Sequence, residues 1–376
     1  MHLALLTNNR FPPREGIGRH LVEIGRRLQA RGHRVTVLAR GRPFARWAES
    51  RVGGLQVRHY PHYPLQPFHH ALARSELTGW LRDGADGAEL LHVHLPLLPQ
   101  LPTRLPVVAT FHSPMLSDTA AIGEPGLKPV LIKANAVLFS SRYEQWYLDH
   151  AAALVAVSAA VVRELASAYR LRSRRPQVVP NGVDATFFAY RSMKRRGPAV
   201  LYVGRLGYRK GLFRLLEAFA RLSPGLGQEL VLAGEGPLEG ALRRRAAALG
   251  IAGRVRFAGF LDRAAVRAEL QDAGCFVNPA DYETGPLTLL EAMACGTPVV
   301  STATGLAAEM GRRPPMRLAG AAPAQLAAAI TATLSNHEAA ASRARAARAL
   351  VVTRFDWEHV VDRLEGVYGV RQECAA

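Results

Sequence analysis

The stretch YETGPLTLLEAMACGTPVV, residues 282–300, decides the fold of this 376-residue chain. It follows the apolar run Cys275–Asn278, contains the helical pattern Leu287–Ala294 and leads into a second apolar run, Pro298–Thr302. Continuous apolar runs joined by a helix are typical of parallel strands that are buried on both faces of a sheet. The stretch therefore predicts a β-α-β unit of a doubly wound α/β fold.

The same alternation continues towards both ends of the chain. The other predicted strands are Leu3–Thr7, Arg34–Ala39, Leu55–Tyr60, Leu90–Leu95, Pro106–His112, Leu154–Ser158, Ala199–Leu206, Glu229–Glu235 and Val255–Leu261. The other predicted helices include Gly18–Arg31, Leu212–Leu222, Leu238–Leu249, Ala264–Ala273 and Trp357–Tyr368. A turn cluster and a basic run at residues 180–198 separate two series of such units. We expect two Rossmann-like domains, residues 1–188 and 189–354, facing a central cleft at the carboxyl ends of their strands.

The composition limits the partners and the compartment. The formal net charge is +18, of which we assign part to the arginine-rich usage of a GC-rich genome and the rest to anionic neighbours such as membrane surfaces. The arginines are scattered without an aromatic stacking platform, so we expect no nucleic acid. The three cysteines, Cys275, Cys295 and Cys374, form no pairing or metal pattern, and the first two lie in apolar runs typical of a core. Without a signal peptide or a membrane-spanning run, the chain is expected to be cytoplasmic.

Two motifs of the second domain carry charged groups. Arg205 and Lys210 follow the first strand of this domain and precede a helix, where fixed cations would stabilise a departing diphosphate. Glu283 follows a later strand and would face a sugar, and Glu291, two turns into the next helix, would hold a ribose through both hydroxyls. The alternatives are solvated surface charges for the cations and an exposed helix face for Glu291.

Two motifs of the first domain complete the predicted site. Gly16 and Gly18 follow the first strand and open a helix, where glycines let backbone amides approach a phosphate. A plain strand-to-helix turn explains them equally well. His112 stands at the end of a strand facing the cleft, the place for a polar ligand contact, although a lone histidine is more often structural.

Together these motifs make the chain similar to glycosyltransferase family 4, retaining enzymes of the GT-B fold. The resemblance extends over nearly the whole length and also rests on Pro180–Asp184, Gly234–Leu238 and Val255–Phe260. It implies catalytic roles for His112, Arg205, Lys210 and Glu283. It implies donor binding by Gly16, Gly18, Arg205, Lys210, Gly234, Gly236, Glu283, Gly285, Leu287 and Glu291. It also implies that the first domain receives the acceptor, that the second binds the donor, and that a last helix, 355–376, crosses back onto the first domain.

The resemblance further implies the reaction. A hexose would pass from a UDP-, GDP- or ADP-linked sugar to a sugar, glycolipid or other hydroxyl acceptor, in the synthesis of polysaccharide, lipopolysaccharide or glycolipid. The new bond would form on the face that the diphosphate leaves, and this diphosphate would help to deprotonate the acceptor. No metal and no other cofactor are implied, in agreement with the absence of an Asp-x-Asp motif from the chain.

Departures from the family pattern leave two alternatives open. Glu15 replaces a glycine beside the proposed phosphate path, and Pro286, which has no amide hydrogen, follows Thr284-Gly285 where the family carries another sequence. The chain could therefore be a catalytically weak or inactive binding protein with the same fold. A nucleotide-sugar epimerase is the other alternative.

Two stretches of the first domain are candidates for the acceptor. Residues 60–64, with His69 and His70, are rich in aromatic residues and proline. Residues 126–150 mix basic side chains with large apolar ones, and we predict that they dock at a membrane or at a lipid-linked acceptor. The alternative for this second stretch is a basic-faced helix packed on the sheet.

Overall fold

The computed structural model describes residues 1–65, 69–193, 196–310 and 315–369, which form two compact units. The first unit contains Met1–Ala120, Gly126–Asn181 and the segment that begins at Trp357, and the second contains Ala121–Pro125 and Gly182–Asp356. The chain thus first leaves unit 1 for the short segment 121–125. It leaves again after Asn181, earlier than the expected boundary after residue 188.

The first unit is built on a sheet of eight strands in the described part of the chain. They are β1 (His2–Thr7), β2 (Arg34–Pro43), β3 (Ala48–Val52), β4 (Leu55–His62), β5 (Leu90–Leu95), β6 (Val107–Phe111), β7 (Ala153–Ala156) and β8 (Gln177–Val178). Their order is β3-β4-β2-β1-β5-β6-β7-β8, and every neighbouring pair is parallel except β3 and β4. In the centre, Leu5 lies between Val37 of β2 and His92 of β5.

Helices accompany the sheet of the first unit. They are α1 (Gly16–Ala30), α2 (His69–Arg82), α3 (Met115–Ala120), α4 (Leu127–Asn135), α5 (Ser141–His150), α6 (Ala159–Ala168) and α14 (Trp357–Gly369). A π-helical turn, Ala136–Ser140, joins α4 to α5. Helix α14 lies against α1, where Arg31 pairs with Glu358 at 2.8 Å and with Asp362 at 2.6 Å. The last helix therefore contacts the first unit, while residues 370–376 of the predicted segment lie outside the described residues.

The second unit contains a smaller sheet, parallel throughout its described strands. The strands are β9 (Val200–Val203), β10 (Leu230–Ala233), β11 (Val255–Gly259), β12 (Cys275–Asn278), β13 (Val299–Thr302) and β14 (Arg317–Ala319), in the order β11-β10-β9-β12-β13-β14. The helices are α7 (Leu212–Ala220), α8 (Glu239–Ala248), α9 (Arg263–Asp272), α10 (Leu287–Ala294), α11 (Gly305–Glu309), α12 (Pro323–Ser335) and α13 (His337–Arg354). Cys275 and Cys295 are unpaired and buried in this core, as the sequence indicates.

Each sheet has one point at which the chain reverses its direction of progress across the strands. In the first sheet β1, β2 and β4 proceed to one side, and β5, β6 and β7 proceed to the other. In the second sheet the reversal lies between β9 and β12. Ligands of doubly wound folds bind beyond the carboxyl ends of the strands at such switch points.

The predicted α/β fold with two parallel sheets is confirmed, and several elements match closely. The bounds of β5, β12 and α10 are as predicted, and the other predicted strands differ at their ends. Strand β3 was not predicted, since its sequence AESRV is polar and its residues are exposed or half-buried at the sheet edge. In the described ranges, no helix has the length and apolar character needed to cross a bilayer.

Candidate functional site

An ion pair joins the two loops at the switch point of the second unit. Lys210, in the loop after β9, contacts the carboxylate of Glu283, in the loop after β12. Both side chains are half-buried, with 20% of Lys210 and 17% of Glu283 exposed. The structure thus brings two of the predicted catalytic residues together, as opposite charges that remain accessible.

Two glycines allow the loop after β12 to pack closely against its neighbours. Gly211 precedes α7 with a φ of +65°, and a Cβ there would lie 1.9 Å from the carbonyl oxygen of Pro279. Gly305 is the first residue of α11 and has a φ of +45°. A Cβ added there would lie 2.1 Å from the carbonyl oxygen of Glu283. Only glycine tolerates both the positive φ and a space too small for a Cβ. These two positions therefore determine how closely the loops pack.

Arg205 is exposed where β9 ends, and a buried tyrosine holds the turn that carries it. The Tyr202 hydroxyl donates a hydrogen bond to the carbonyl oxygen of Arg205 at 3.0 Å. Burial, and to a lesser degree the nearby charge of Glu283, raises the pKa of Tyr202, which therefore stays protonated and able to donate. Tyr202 was missed in the sequence analysis, because it looks like one more apolar residue of the strand.

Gly234 and Gly236, predicted to bind the donor, follow β10 and pack tightly against the loop after β9. A Cβ at Gly234 would lie 1.9 Å from the carbonyl oxygen of Gly204, and one at Gly236 would lie 2.2 Å from that of Leu206. Close packing alone therefore explains why both positions are glycine. They place the backbone of the β10 loop beside Arg205.

Glu291 is buried in the middle of α10. The helix begins at Leu287, directly after Gly285 and Pro286, so Glu291 lies one turn into the helix and the predicted two turns are wrong. Its exposed fraction is only 6%, which excludes the exposed helix face as an alternative. A buried carboxylate is costly unless it has polar partners, so this position is typical of a specific role.

Asp281 and Glu283 do not converge as a metal-binding pair would. The Asp281 carboxylate pairs with Arg214, at the start of α7, whereas the Glu283 carboxylate pairs with Lys210. Each acid thus pairs with a cation of its own.

Glu124 is a residue of this region that sequence reasoning missed. Its Oε1 accepts a hydrogen bond from the backbone N–H of Arg209 at 3.0 Å. Arg209 has a φ of +58°, which is unfavourable for a residue with a side chain, and it precedes Lys210 directly. Glu124 therefore stabilises the backbone that presents Lys210.

The switch point of the first unit is lined by histidines. His112 follows β6 and is 5% exposed, and its Nε2 lies 3.1 Å from Nδ1 of His94 in β5. The ring of His20, in α1, meets the His112 ring edge-on at a centroid distance of 5.0 Å. His20 Nδ1 also lies 2.9 Å from the Asn181 side-chain oxygen. His92 and His94 interrupt an apolar run, a signal that could have indicated this cluster from the sequence.

Burial keeps these imidazoles neutral. It lowers the pKa of His112 and of His94 well below the ordinary value, with smaller effects from the neighbouring histidines, and it lowers the pKa of His20 to about 4. At neutral pH the cluster therefore offers hydrogen bonds rather than positive charge. The buried Nε2 of His94 has no hydrogen-bond partner within the described ranges.

The same three histidines, His20, His94 and His112, are the group of described residues with spacing suited to a metal ion. Their ligand nitrogens lie within 4.8 Å of one another. The contact between His94 and His112 is also accounted for by an N–H···N hydrogen bond between neutral rings, and His20 is engaged by Asn181. The arrangement therefore does not require a metal.

Gly16 and Gly18 lie at the start of α1, after the first strand. Gly16 is the first residue of the helix, and a Cβ at Gly18 would lie 2.5 Å from Cβ of Pro13. Gly18 thus has a packing reason of its own, which favours the plain turn that the sequence left open. Glu15 stands at the helix N-terminus, and its carboxylate accepts a hydrogen bond from Asn9 at 3.0 Å.

Comparison with known families gives two matches that follow each other along the chain. A sequence model described as "Glycosyltransferase Family 4" matches residues 14–187, and one described as "Glycosyl transferases group 1" matches residues 188–350. Together they extend over most of both units.

Individual relatives match over nearly the whole chain. A glycogen synthase of Mycobacterium tuberculosis is 28% identical, covering 97% of this chain and 94% of the relative. A D-inositol 3-phosphate glycosyltransferase of Thermomonospora curvata is 30% identical, covering 94% and 90%. Among solved structures, Anabaena HepE in complex with UDP-glucose has a TM-score of 0.72 at 19% identity, covering 98% of this chain and 100% of HepE.

Proposed function

The chain belongs to glycosyltransferase family 4, and on this premise we propose that it transfers a hexose from a nucleotide-diphosphate sugar to a hydroxyl acceptor. The anomeric configuration is retained. The bond from the anomeric carbon to the diphosphate breaks, and the bond to the acceptor oxygen forms on the same face. The acceptor proton passes to the departing phosphate oxygen, so no protein base is needed.

The ion pair of Lys210 with Glu283 is the observation that carries this proposal. It holds a phosphate-binding cation and a sugar-binding carboxylate side by side at the switch point, where a donor requires both. When the donor binds, Lys210 turns to the diphosphate and Glu283 to the sugar hydroxyls. Arg205, exposed after β9, supplies the second cation. Charge that develops on the leaving group is thereby stabilised by fixed cations.

Glu291 and His112 have complementary roles in the proposed reaction. The buried carboxylate of Glu291 accepts hydrogen bonds from the two ribose hydroxyls. His112, kept neutral by burial, contacts the sugar near the reacting carbon without adding a positive charge beside an oxocarbenium-like transition state. A cationic imidazole there would oppose the charge that forms.

We propose that the reaction needs no metal. The ion pairs of Asp281 with Arg214 and of Glu283 with Lys210 support this, because they engage the nearby acids with protein cations. The likeness to HepE, which binds UDP-glucose, supports a nucleotide-sugar donor. The unpaired, buried Cys275 and Cys295 support a reducing, cytoplasmic setting. The acceptor in this proposal is a sugar or a lipid-linked sugar.

The proposal is tested by incubating the purified protein with UDP-, GDP- and ADP-hexoses in the presence of EDTA. We expect one donor to be cleaved slowly in water and faster with an acceptor extract. Nuclear magnetic resonance of the product should show the anomeric configuration of the donor. Activity should be lost in Glu283→Ala and kept in the matched control Glu338→Ala, an exposed carboxylate on α13.

Three outcomes would overturn parts of this proposal. Inverted product would exclude the proposed front-face reaction, and activity that disappears in EDTA would exclude metal independence. Appearance of an epimeric nucleotide-sugar without acceptor would identify an epimerase. If no donor binds even at high concentration, the enzyme assignment itself is wrong.

A further inference from the structure

Helix α4 and the π-helical turn after it expose their large apolar side chains. Six of these form what we call the apolar patch: Leu127 (74% exposed), Val130 (60%), Leu131 (59%), Ile132 (37%), Val137 (60%) and Leu138 (52%). The other exposed large apolar residues in the described ranges are spread singly along the chain. Contiguous exposure of this kind marks an interaction surface in a folded protein.

The orientation of this segment is the reverse of an ordinary surface helix. The positions that face inwards are Pro129, Ala136, Ser140 and Glu144, which are small or polar and are buried. An ordinary amphipathic helix would turn its leucines and valines towards the core. Burial of such side chains stabilises a fold, so this segment contributes less to stability than it could unless something else covers the patch.

The charged residues in the segment of the patch are basic, which favours an anionic partner. Lys128, Lys133 and Arg142 lie in the same segment, and residues 125–143 contain no acidic residue. The next acid, Glu144, is buried and accepts hydrogen bonds from the backbone N–H of Met115 at 3.1 Å and 3.2 Å. Burial raises the pKa of Glu144 to about 8, so little negative charge is present in this segment at neutral pH.

We propose that the apolar patch docks this protein on an anionic lipid surface, lying in the plane of the interface. The aliphatic side chains enter the boundary between headgroups and acyl chains, and the basic residues contact the anionic headgroups. From Leu127 to Leu138 a helix is roughly 18 Å long, too short to span a bilayer but suited to lying on one.

A second copy of the chain is a poorer partner for the same surface. In a two-fold symmetric dimer each patch would face its own counterpart, so that Lys128 and Lys133 of both copies would be brought together. Their like charges would repel at an interface without acids to compensate them. Anionic lipid provides the apolar phase and the negative charge together.

The proposal is tested by co-sedimentation with phosphatidylcholine vesicles, with and without one third phosphatidylglycerol, at low and high salt. The wild type should bind the anionic vesicles, and salt should weaken this binding. The double change Leu131→Ser with Leu138→Ser should lower the partition coefficient at least about tenfold. The double change Lys128→Gln with Lys133→Gln should lower it by about tenfold on anionic vesicles alone.

Matched controls distinguish binding through the apolar patch from nonspecific binding to vesicles. Phe44→Ser removes an exposed apolar side chain elsewhere in the first unit, and Arg51→Gln removes an exposed charge there. Both should bind vesicles like the wild type. Unchanged thermal midpoints would show that the patch variants remain folded, as expected from the exposure of the substituted residues.

Two results would overturn the proposal. One is a wild type that fails to sediment with anionic vesicles at low salt, or patch variants that sediment equally well. The other is a dimer, detected by light scattering, that the leucine changes dissociate while vesicle binding is absent. The inference is independent of the proposed sugar transfer, since vesicle binding is measured without a donor and nucleotide binding without vesicles.

Discussion

The switch point of the first unit, between β1 and β5, is lined by the buried imidazoles of His20, His94 and His112. That of the second, between β9 and β12, presents the half-buried ion pair of Lys210 with Glu283. The topology is the same at both points, and the chemistry differs. The first offers neutral hydrogen-bonding groups, whereas the second offers charge.

Under the proposed function, this difference assigns different parts of the reaction to the two units. The position of the loops follows from the strand order, while their chemistry follows from the few residues that come after each strand. Fixed charge suits a diphosphate, which carries negative charge before and after the reaction. Neutral imidazoles suit a transition state whose sugar becomes positive.

The largest effect is expected from the charged switch point. Lys210→Ala should lower the rate of hexose transfer by about 10²–10³-fold, because the departing diphosphate loses a fixed cation. Steady-state kinetics with the preferred donor measures this. The control Arg345→Ala removes an exposed arginine on α13 and should leave the rate unchanged. Equal rates for Lys210→Ala and the wild type would contradict the proposal that charge at the switch point of the second unit drives the reaction.

A smaller effect is expected at the buried carboxylate of the same unit. Glu291→Gln should raise the KM for the donor by about 10-fold with less change in kcat, since a charged hydrogen bond to ribose is replaced by a neutral one. Glu338→Gln, at an exposed position of α13, serves as the control. A fall in kcat alone would place Glu291 at the reacting sugar instead.

The neutral switch point should appear in the pH dependence of stability. The pKa of His20 is about 4 in the folded chain, below its ordinary value of 6.5. Below pH 6.5 the unfolded chain therefore takes up a proton that folded His20 does not accept until about pH 4. Stability is fully present above 6.5 and falls by on the order of 3 kcal/mol as the pH drops to 4.

Thermal midpoints of the wild type and of His20→Asn, measured between neutral pH and pH 4, test this directly. The decrease on acidification should be smaller in His20→Asn, whatever the variant does to the midpoint at neutral pH. His337→Asn, which removes an exposed histidine, should follow the wild type. If the three proteins lose stability in parallel, His20 does not gain a proton on unfolding.

The smallest effect concerns the loop that presents Lys210. Glu124→Ala removes the acceptor for the Arg209 N–H and should raise the donor KM by about threefold, with little change in kcat. Arg209→Gly in the same background should restore part of the loss, because glycine adopts the positive φ at little cost. A KM that is unaffected by Glu124→Ala would show that the loop is held by other contacts.

The fold was predictable because its signals are local. The apolar runs at β5 and β12 and the helical pattern of α10 each define an element without reference to the rest of the chain. Strand β3 was missed because an exposed edge strand keeps no apolar face. Likewise, the apolar residues of α4 are plain in the sequence, but their outward orientation depends on which face the neighbouring elements cover.

The site was predictable only where a motif was present. Lys210 and Glu283 are separated by 73 positions, and their motifs together with the strand order bring them to one point. Glu124 has no motif, and its partner is a backbone N–H 85 positions away. No motif marks His20 and His94 either, since only tertiary packing brings them next to His112.

The central claim is that the second unit binds the diphosphate by charge and that the first unit acts on the sugar through neutral groups. Calorimetric titration of nucleoside diphosphate into the wild type, Lys210→Ala and His112→Ala tests it most directly. We predict that Lys210→Ala loses most of the affinity, whereas His112→Ala binds the diphosphate like the wild type although it no longer transfers hexose. Full affinity in Lys210→Ala together with loss of binding in His112→Ala would contradict the account.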